Sequence, residues 1–143
     1  METANTVRSR LRFDSLEHVT TPDGSGRVAV RLEWDGETFE GTVACLQTQQ
    51  GVLKAASEAT LIATVAAARA FSDDPIDLEV VGVKAVRAFD GWVVVTRVNG
   101  LVDAETYRLL GAAPCEREDD LPGAAVKAVL NACNRIVEHR VAR

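Results

Sequence analysis

The sequence predicts an α+β protein made of two tandem βββα units, and three observations lead to this prediction. Two segments of alternating apolar and polar residues flank Asp35-Gly36, a strong signal for a two-residue β-hairpin. A long alanine-rich segment with helical character follows them. The same order of elements then recurs in the second half of the chain. We expect six antiparallel strands, in one sheet or two abutting sheets, with two helices packed on one face.

The first unit is predicted to contain three strands and a helix. Its central strand places valine, leucine and tryptophan on one face and charged residues on the other, as expected for a strand with one wet face. Pro75 ends the helix region, because the residue before a proline is disfavoured in the α conformation. The predicted strands are Val7–Val19, Arg27–Trp34 and Glu37–Leu46, and the predicted helix is Gly51–Phe71.

The second unit is predicted to repeat this order. Its strands are Ile76–Phe89, Trp92–Val98 and Leu101–Ala113, with type I′ turns at Asp90-Gly91 and Asn99-Gly100 and an interruption, such as a bulge, near Asp103-Ala104. A polar connector leads to a second helix that begins near Asp119 or Asp120 and ends near Val141. Pro122 falls in its first turn, a position that proline favours.

A shift of 70 residues relates the two units, which span residues 7–72 and 76–141 of a single domain. The shift lays Gly41 on Gly111 and Cys45 on Cys115. Applied without a gap, it also lays the first helix on the second, with Ala63 on Cys133. Because identical residues are sparse, chance similarity is the alternative to a duplication.

This element order, with RVAVRLEWDGETFEGTVAC and its counterpart as the closest segments, resembles the regulatory C-terminal domain of 2-isopropylmalate synthase. In that family two βββα units pack pseudo-symmetrically and bind the feedback amino acid. The resemblance covers nearly the whole chain in element order, but no ligand-contacting motif can be matched residue by residue. It implies a free-standing relative of a regulatory domain without the catalytic barrel.

Composition narrows the classes of partner. The net charge of −5 and the pI of about 5.0 lack the basic footprint of a nucleic-acid-binding protein. No signal peptide and no apolar run of about 18 residues is apparent, so we expect a cytoplasmic protein that does not span a membrane. The three cysteines are odd in number and widely spaced, which predicts reduced thiols.

The residues that could carry chemistry are isolated from one another in sequence. Cys133 falls on the apolar face of the second helix and is predicted to lie in the core, while Cys45 and Cys115 end equivalent strands. His18 and His139 are predicted to lie on the surface. With no catalytic motif and no clustered metal ligands, we expect no catalytic residue, metal site or cofactor. Five arginines are predicted to share one sheet face, as an anion or partner surface or as part of a mixed-charge solvated face: Arg8, Arg10, Arg12, Arg27 and Arg31.

The first helix predicts an interface. Under the ungapped shift Leu61 matches Asn131 and Val65 matches Arg135, so a face that is polar on the second helix is apolar on the first. An apolar patch of this kind typically marks an interface. We therefore expect a homodimer through Leu53, Leu61, Val65 and Ala68, unless another rotation of the helix buries them within the chain.

These observations favour a non-enzymatic regulatory or assembly module that acts through self-association and binds a small apolar ligand between the repeats. The main alternative is a protein-interaction or scaffolding domain without a ligand. A small enzyme is the third class, since an active site can be built without a recognisable motif.

Overall fold

The computed structural model describes residues 10–73 and 75–141, apart from the side chains of residues 135 and 138–141. The first unit has three strands and a helix, the second unit repeats them, and a 3-10 turn at Glu118–Asp120 precedes the second helix. The elements are β1 (Arg12–Thr20), β2 (Gly26–Trp34), β3 (Glu37–Cys45), α1 (Gln49–Phe71), β4 (Ile76–Ala88), β5 (Gly91–Val102), β6 (Glu105–Cys115) and α2 (Leu121–Val141).

The strands form two separate three-stranded antiparallel sheets, β1-β2-β3 and β4-β5-β6, which confirms the predicted fold class of tandem βββα units. Helix α1 packs on β2 and β3 of its own sheet and also on β4 of the other. Helix α2 packs on β5 and β6 and also contacts β1, and the two helices pack against each other. The helix pair therefore lies between the inner faces of the two sheets. The predicted strand residues 7–9 lie outside the described part of the chain.

The hairpin turns agree with the sequence prediction in one unit and differ in the other. Asp35-Gly36 forms the β2–β3 turn, with positive φ at both residues. The β4–β5 turn is Phe89-Asp90, one residue earlier than predicted. The predicted turn at Asn99-Gly100 is wrong. Those residues lie inside β5, and the turn to β6 is Asp103-Ala104, where the sequence suggested an interruption.

Strand pairing explains why the Asn-Gly signal fails. Asn99 pairs with Glu79 on one side and with Arg108 on the other, so a turn there would remove hydrogen bonds from two ladders. Gly100 is buried on the inner face, where a Cβ would lie 3.2 Å from Leu78 Cδ2. A local turn preference is thus outweighed by pairing along the whole of β5.

Strand positions in the two units match closely. Gly41 and Gly111 occupy the same place on β3 and β6, and in each a Cβ would overlap a helix carbonyl oxygen, that of Ala59 and that of Ala128. These glycines let each helix approach its sheet closely. Cys45 and Cys115 likewise end equivalent strands. The bulge in β1 at residue 14 has its counterpart in β4 at residue 81.

The helices match at a shift of 69 residues, one fewer than predicted. At this shift Leu61 lies on Leu130, and both side chains are buried. Ile62 lies on Asn131, and both are exposed. The connector between the third strand and the helix is one residue shorter in the second unit, so the ungapped alignment of the helices is wrong.

Helix α1 is buried around most of its circumference. Thr48 caps it, since the Thr48 Oγ1 accepts a hydrogen bond of 3.0 Å from the Gly51 N–H. By length and composition alone this helix could cross a membrane, but 67% of its most apolar window is buried inside the protein. The four alanines predicted to face the sheet are all fully buried: Ala56, Ala59, Ala63 and Ala67.

Candidate interaction surface

The residues predicted to form an interface on helix α1 do not form an exposed patch. Leu53, Leu61 and Ala68 are buried within the single chain, and Val65 is half-buried. Intramolecular packing against α2 and β4 uses this side of the helix. The apparent mismatch with α2 arose from the one-residue error in register, because Leu61 corresponds to Leu130 and not to Asn131. The premise of that interface is therefore not met, whereas homodimer formation itself stays a prediction.

The three thiols are free, and two of them are buried. Cys133 lies in the core as predicted, and burial raises its pKa to about 12. Cys115 is half-buried, and partial burial together with the nearby Asp120 carboxylate raises its pKa. Its Sγ–H donates to the Arg117 carbonyl oxygen at 3.4 Å. A raised pKa lowers the thiolate fraction at neutral pH, so neither Cys115 nor Cys133 is primed as a nucleophile.

A shallow groove of about 280 Å³ lies between the two units, where the helices begin. His18 is exposed at its rim, and its Nε2 lies 2.7 Å from the Gln47 Oε1. Across the groove the Gln49 Nε2 donates to the Glu118 Oε2 at 2.8 Å, which ties the two units together. The side chain of His139 lies outside the described part. The lining includes Val52, Leu53 and Leu121 beneath a mostly polar rim.

A second groove, of about 560 Å³, lies beside the end of α1 and the β5–β6 turn. Its lining combines Arg69 with the carboxylates of Asp73, Asp77 and Asp103. Among the described residues, no group of three or more His, Cys, Asp or Glu side chains could hold a metal ion. The geometry here shows an open, solvated surface with no pair of groups arranged for acid–base chemistry.

The outer face of the first sheet, turned away from the helices, is charged. Arg12, Arg27 and Arg31 share this face, as the sequence predicted, while Arg8 lies outside the described residues. Carboxylates are interleaved with the arginines, and the Arg31 Nη2 lies 3.1 Å from the Glu40 Oε1 in a half-exposed ion pair. The arrangement is that of a mixed-charge, solvated face, in which exposed pairs contribute little to stability.

The outer face of the second sheet is different, because apolar side chains cover much of it. Strand register places these side chains together on the face that no helix covers. Four of them are large and exposed, from 41% at Val86 to 65% at Leu110. The apolar members of the face are Val81, Val86, Val93, Val95, Leu101, Leu110, Ala112 and Pro114.

The internal repeat makes this contrast specific, since matched positions can be compared. Val93 lies where the first sheet has Arg27, and Leu110 lies where it has Glu40. At the matched bulges, Val81 stands in place of Asp14. The same architecture thus carries charged residues on one outer face and apolar residues on the other.

Sequence reasoning missed this face, although a signal was present. Residues 92–95 read Trp-Val-Val-Val, and Leu109-Leu110 and Val80-Val81 are adjacent apolar pairs. Such runs break the alternation expected of a strand with one wet face and indicate a strand that is apolar on both sides. No family model matches the chain, and no curated protein sequence matches it.

Proposed function

We propose that this protein is a non-enzymatic assembly module that acts through protein–protein association, with the outer face of the second sheet as its contact surface. The single observation that carries the proposal is the apolar character of that face compared with its charged counterpart in the first unit. A contiguous exposed apolar patch on a folded chain typically marks an interaction site.

The chemistry of the face fits an interface. Its centre is apolar, and its charged residues are Asp77, Glu79, Lys84, Arg97 and Arg108. A protein interface of ordinary composition mixes an apolar centre with polar groups in this way. The other face of the same sheet already packs on the helices, so the apolar outer residues serve no intramolecular packing layer.

Site-specific photo-crosslinking in the native host tests the proposal. A photoreactive side chain at Leu110 should yield covalent adducts with protein, whereas the same group at Glu40, the matched position of the first sheet, should not. Both positions are exposed and lie next to their sheet's close-packed glycine, Gly111 or Gly41, so the two variants are matched in fold. Absence of adducts at Leu110, or equal yields at both positions, would contradict the proposal.

A ligand-regulated module is the second candidate, and the groove between the units is the observation that favours it. Residues from both units line it, and Val52, Leu53 and Leu121 give it an apolar floor. A ligand that binds only the folded state raises the melting temperature by mass action. A thermal-shift screen with the standard amino acids therefore tests this candidate, and a shift that is lost in Val52→Asn would place the ligand in the groove.

A further inference from the structure

We infer that the partner of the second sheet's outer face is a second copy of this chain, bound face to face about a two-fold axis. This inference rests on the proposed function and names its partner. The axis runs across the strands at the level of Val98, between Arg97 and Asn99 of β5. The resulting contact is isologous, so each pairing across it occurs twice.

The charges on this face are self-complementary about that axis. Strand register places Lys84, Val95 and Ala112 in one row, and Asp77, Leu101 and Thr106 in another. The two rows lie three residues to either side of Val98 along β5. The axis therefore sets Lys84 opposite Asp77 of the second copy. It also sets Val95 opposite Leu101 of the second copy, in an apolar contact.

The rows nearest the axis are compatible with the same arrangement. Arg97 meets Asn99 of the second copy, with Glu79 of the second copy in the adjacent column. A two-fold axis parallel to β5 would instead stack Arg97 on its own symmetry mate. Like charges placed opposite one another at an interface are costly. Electrostatics thus favours the axis across the strands.

The area of the face is sufficient for a specific dimer. Strand β5 has 12 residues, which at about 3.3 Å each gives a ladder of roughly 40 Å. Three strands spaced about 4.8 Å apart give a width of roughly 14 Å. Two such faces together bury on the order of 1,100 Å², within reach of the smaller specific interfaces. Two packed sheets of this kind align within about 30° of each other.

Charge reversal with purified full-length protein tests the pairing. In sedimentation equilibrium the wild type should dimerise at tens of micromolar. Lys84→Glu and Asp77→Lys should each raise the dissociation constant about tenfold or more, since each places like charges in contact at two symmetric sites. The double variant restores opposite charges and should return dimerisation to within about threefold of the wild type. Glu17→Lys changes the position on the first sheet that matches Lys84 and should have no effect.

Far-UV circular dichroism and thermal melts of each variant report on folding, because Asp77 and Lys84 are exposed and their exchange should leave both signals unchanged. A monomeric wild type whose Leu110 adducts contain a different protein would overturn this inference and leave the proposed function standing. Dimers that survive both single reversals, or a double variant that stays monomeric, would overturn the pairing. Absence of any Leu110 adduct counts against the proposed function itself.

Discussion

Ala104 adopts the left-handed backbone conformation, with φ of 68° in the β5–β6 turn. The corresponding residue of the β2–β3 turn is Gly36, with φ of 81°. Left-handed φ costs a residue with a Cβ about 1–2 kcal/mol, a cost that glycine does not carry. The second unit therefore holds a strained alanine at a position where the first unit has the preferred residue.

We expect Ala104→Gly to stabilise the protein by about 0.5–1 kcal/mol, because relief of the strain exceeds the added freedom of glycine in the unfolded chain. Urea denaturation followed by circular dichroism measures the change. Gly36→Ala is the matched control, and it should lower the free energy of unfolding by a similar amount. A destabilising Ala104→Gly would show that the turn is not strained.

At the scale of elements, the two helices are equivalent in burial but not in the spacing predicted from sequence. Leu61 and Leu130 are each 5% exposed, whereas Ile62 is 48% exposed. Asn131, which matches Ile62, is exposed and donates from its Nδ2 to the Ala112 carbonyl oxygen at 2.6 Å. The packing of each helix on its sheet, marked by Gly41 and Gly111, fixes this register.

Substitution in the helices distinguishes the two registers. Leu61→Ala and Leu130→Ala should each destabilise by about 2–5 kcal/mol, since each leaves a cavity in the core. Ile62→Ala, at the neighbouring exposed position, should cost less than about 1 kcal/mol. Equilibrium unfolding in urea measures all three. A small effect of Leu130→Ala with a large effect of Ile62→Ala would refute the equivalence drawn here.

At the scale of the whole molecule, the two units share one set of packed helices. Each helix contacts strands of both sheets, and the Gln50 Nε2 donates to the Val83 carbonyl oxygen at 2.9 Å across the units. Neither sheet can keep its inner face covered if the helix pair separates. The two units should therefore unfold in a single cooperative transition.

Each unit contains one tryptophan, which makes this cooperativity measurable. Trp34 is buried beside Phe71 in the first unit, and Trp92 lies under the Arg87 guanidinium in the second. In Trp34→Phe and in Trp92→Phe the remaining tryptophan reports on one unit. Its fluorescence should change at the same urea concentration as far-UV circular dichroism. Separate midpoints in either variant would show that the units unfold independently.

The sequence by itself determined the order of elements and most of the core. Period-two and helical patterns, with Asp35-Gly36 and Pro75 as boundaries, depend only on local backbone chemistry and on which side chains avoid water. They identified both units, the buried alanines of α1 and the buried Cys133. The shift that relates Gly41 to Gly111 was also legible, because both glycines answer the same demand for close helix packing.

Tertiary structure alone decided the remaining features, because they depend on contacts between residues distant in sequence. Pairing on both sides of β5 overrode the turn signal at Asn99-Gly100 and moved the turn to Asp103-Ala104. A connector shorter by one residue set the register of α2 and placed Leu61 inside the chain. Whether an apolar strand residue faces a helix or solvent is fixed only by the layer on each side of the sheet. For that reason the outer face of the second sheet, and not helix α1, is the candidate surface.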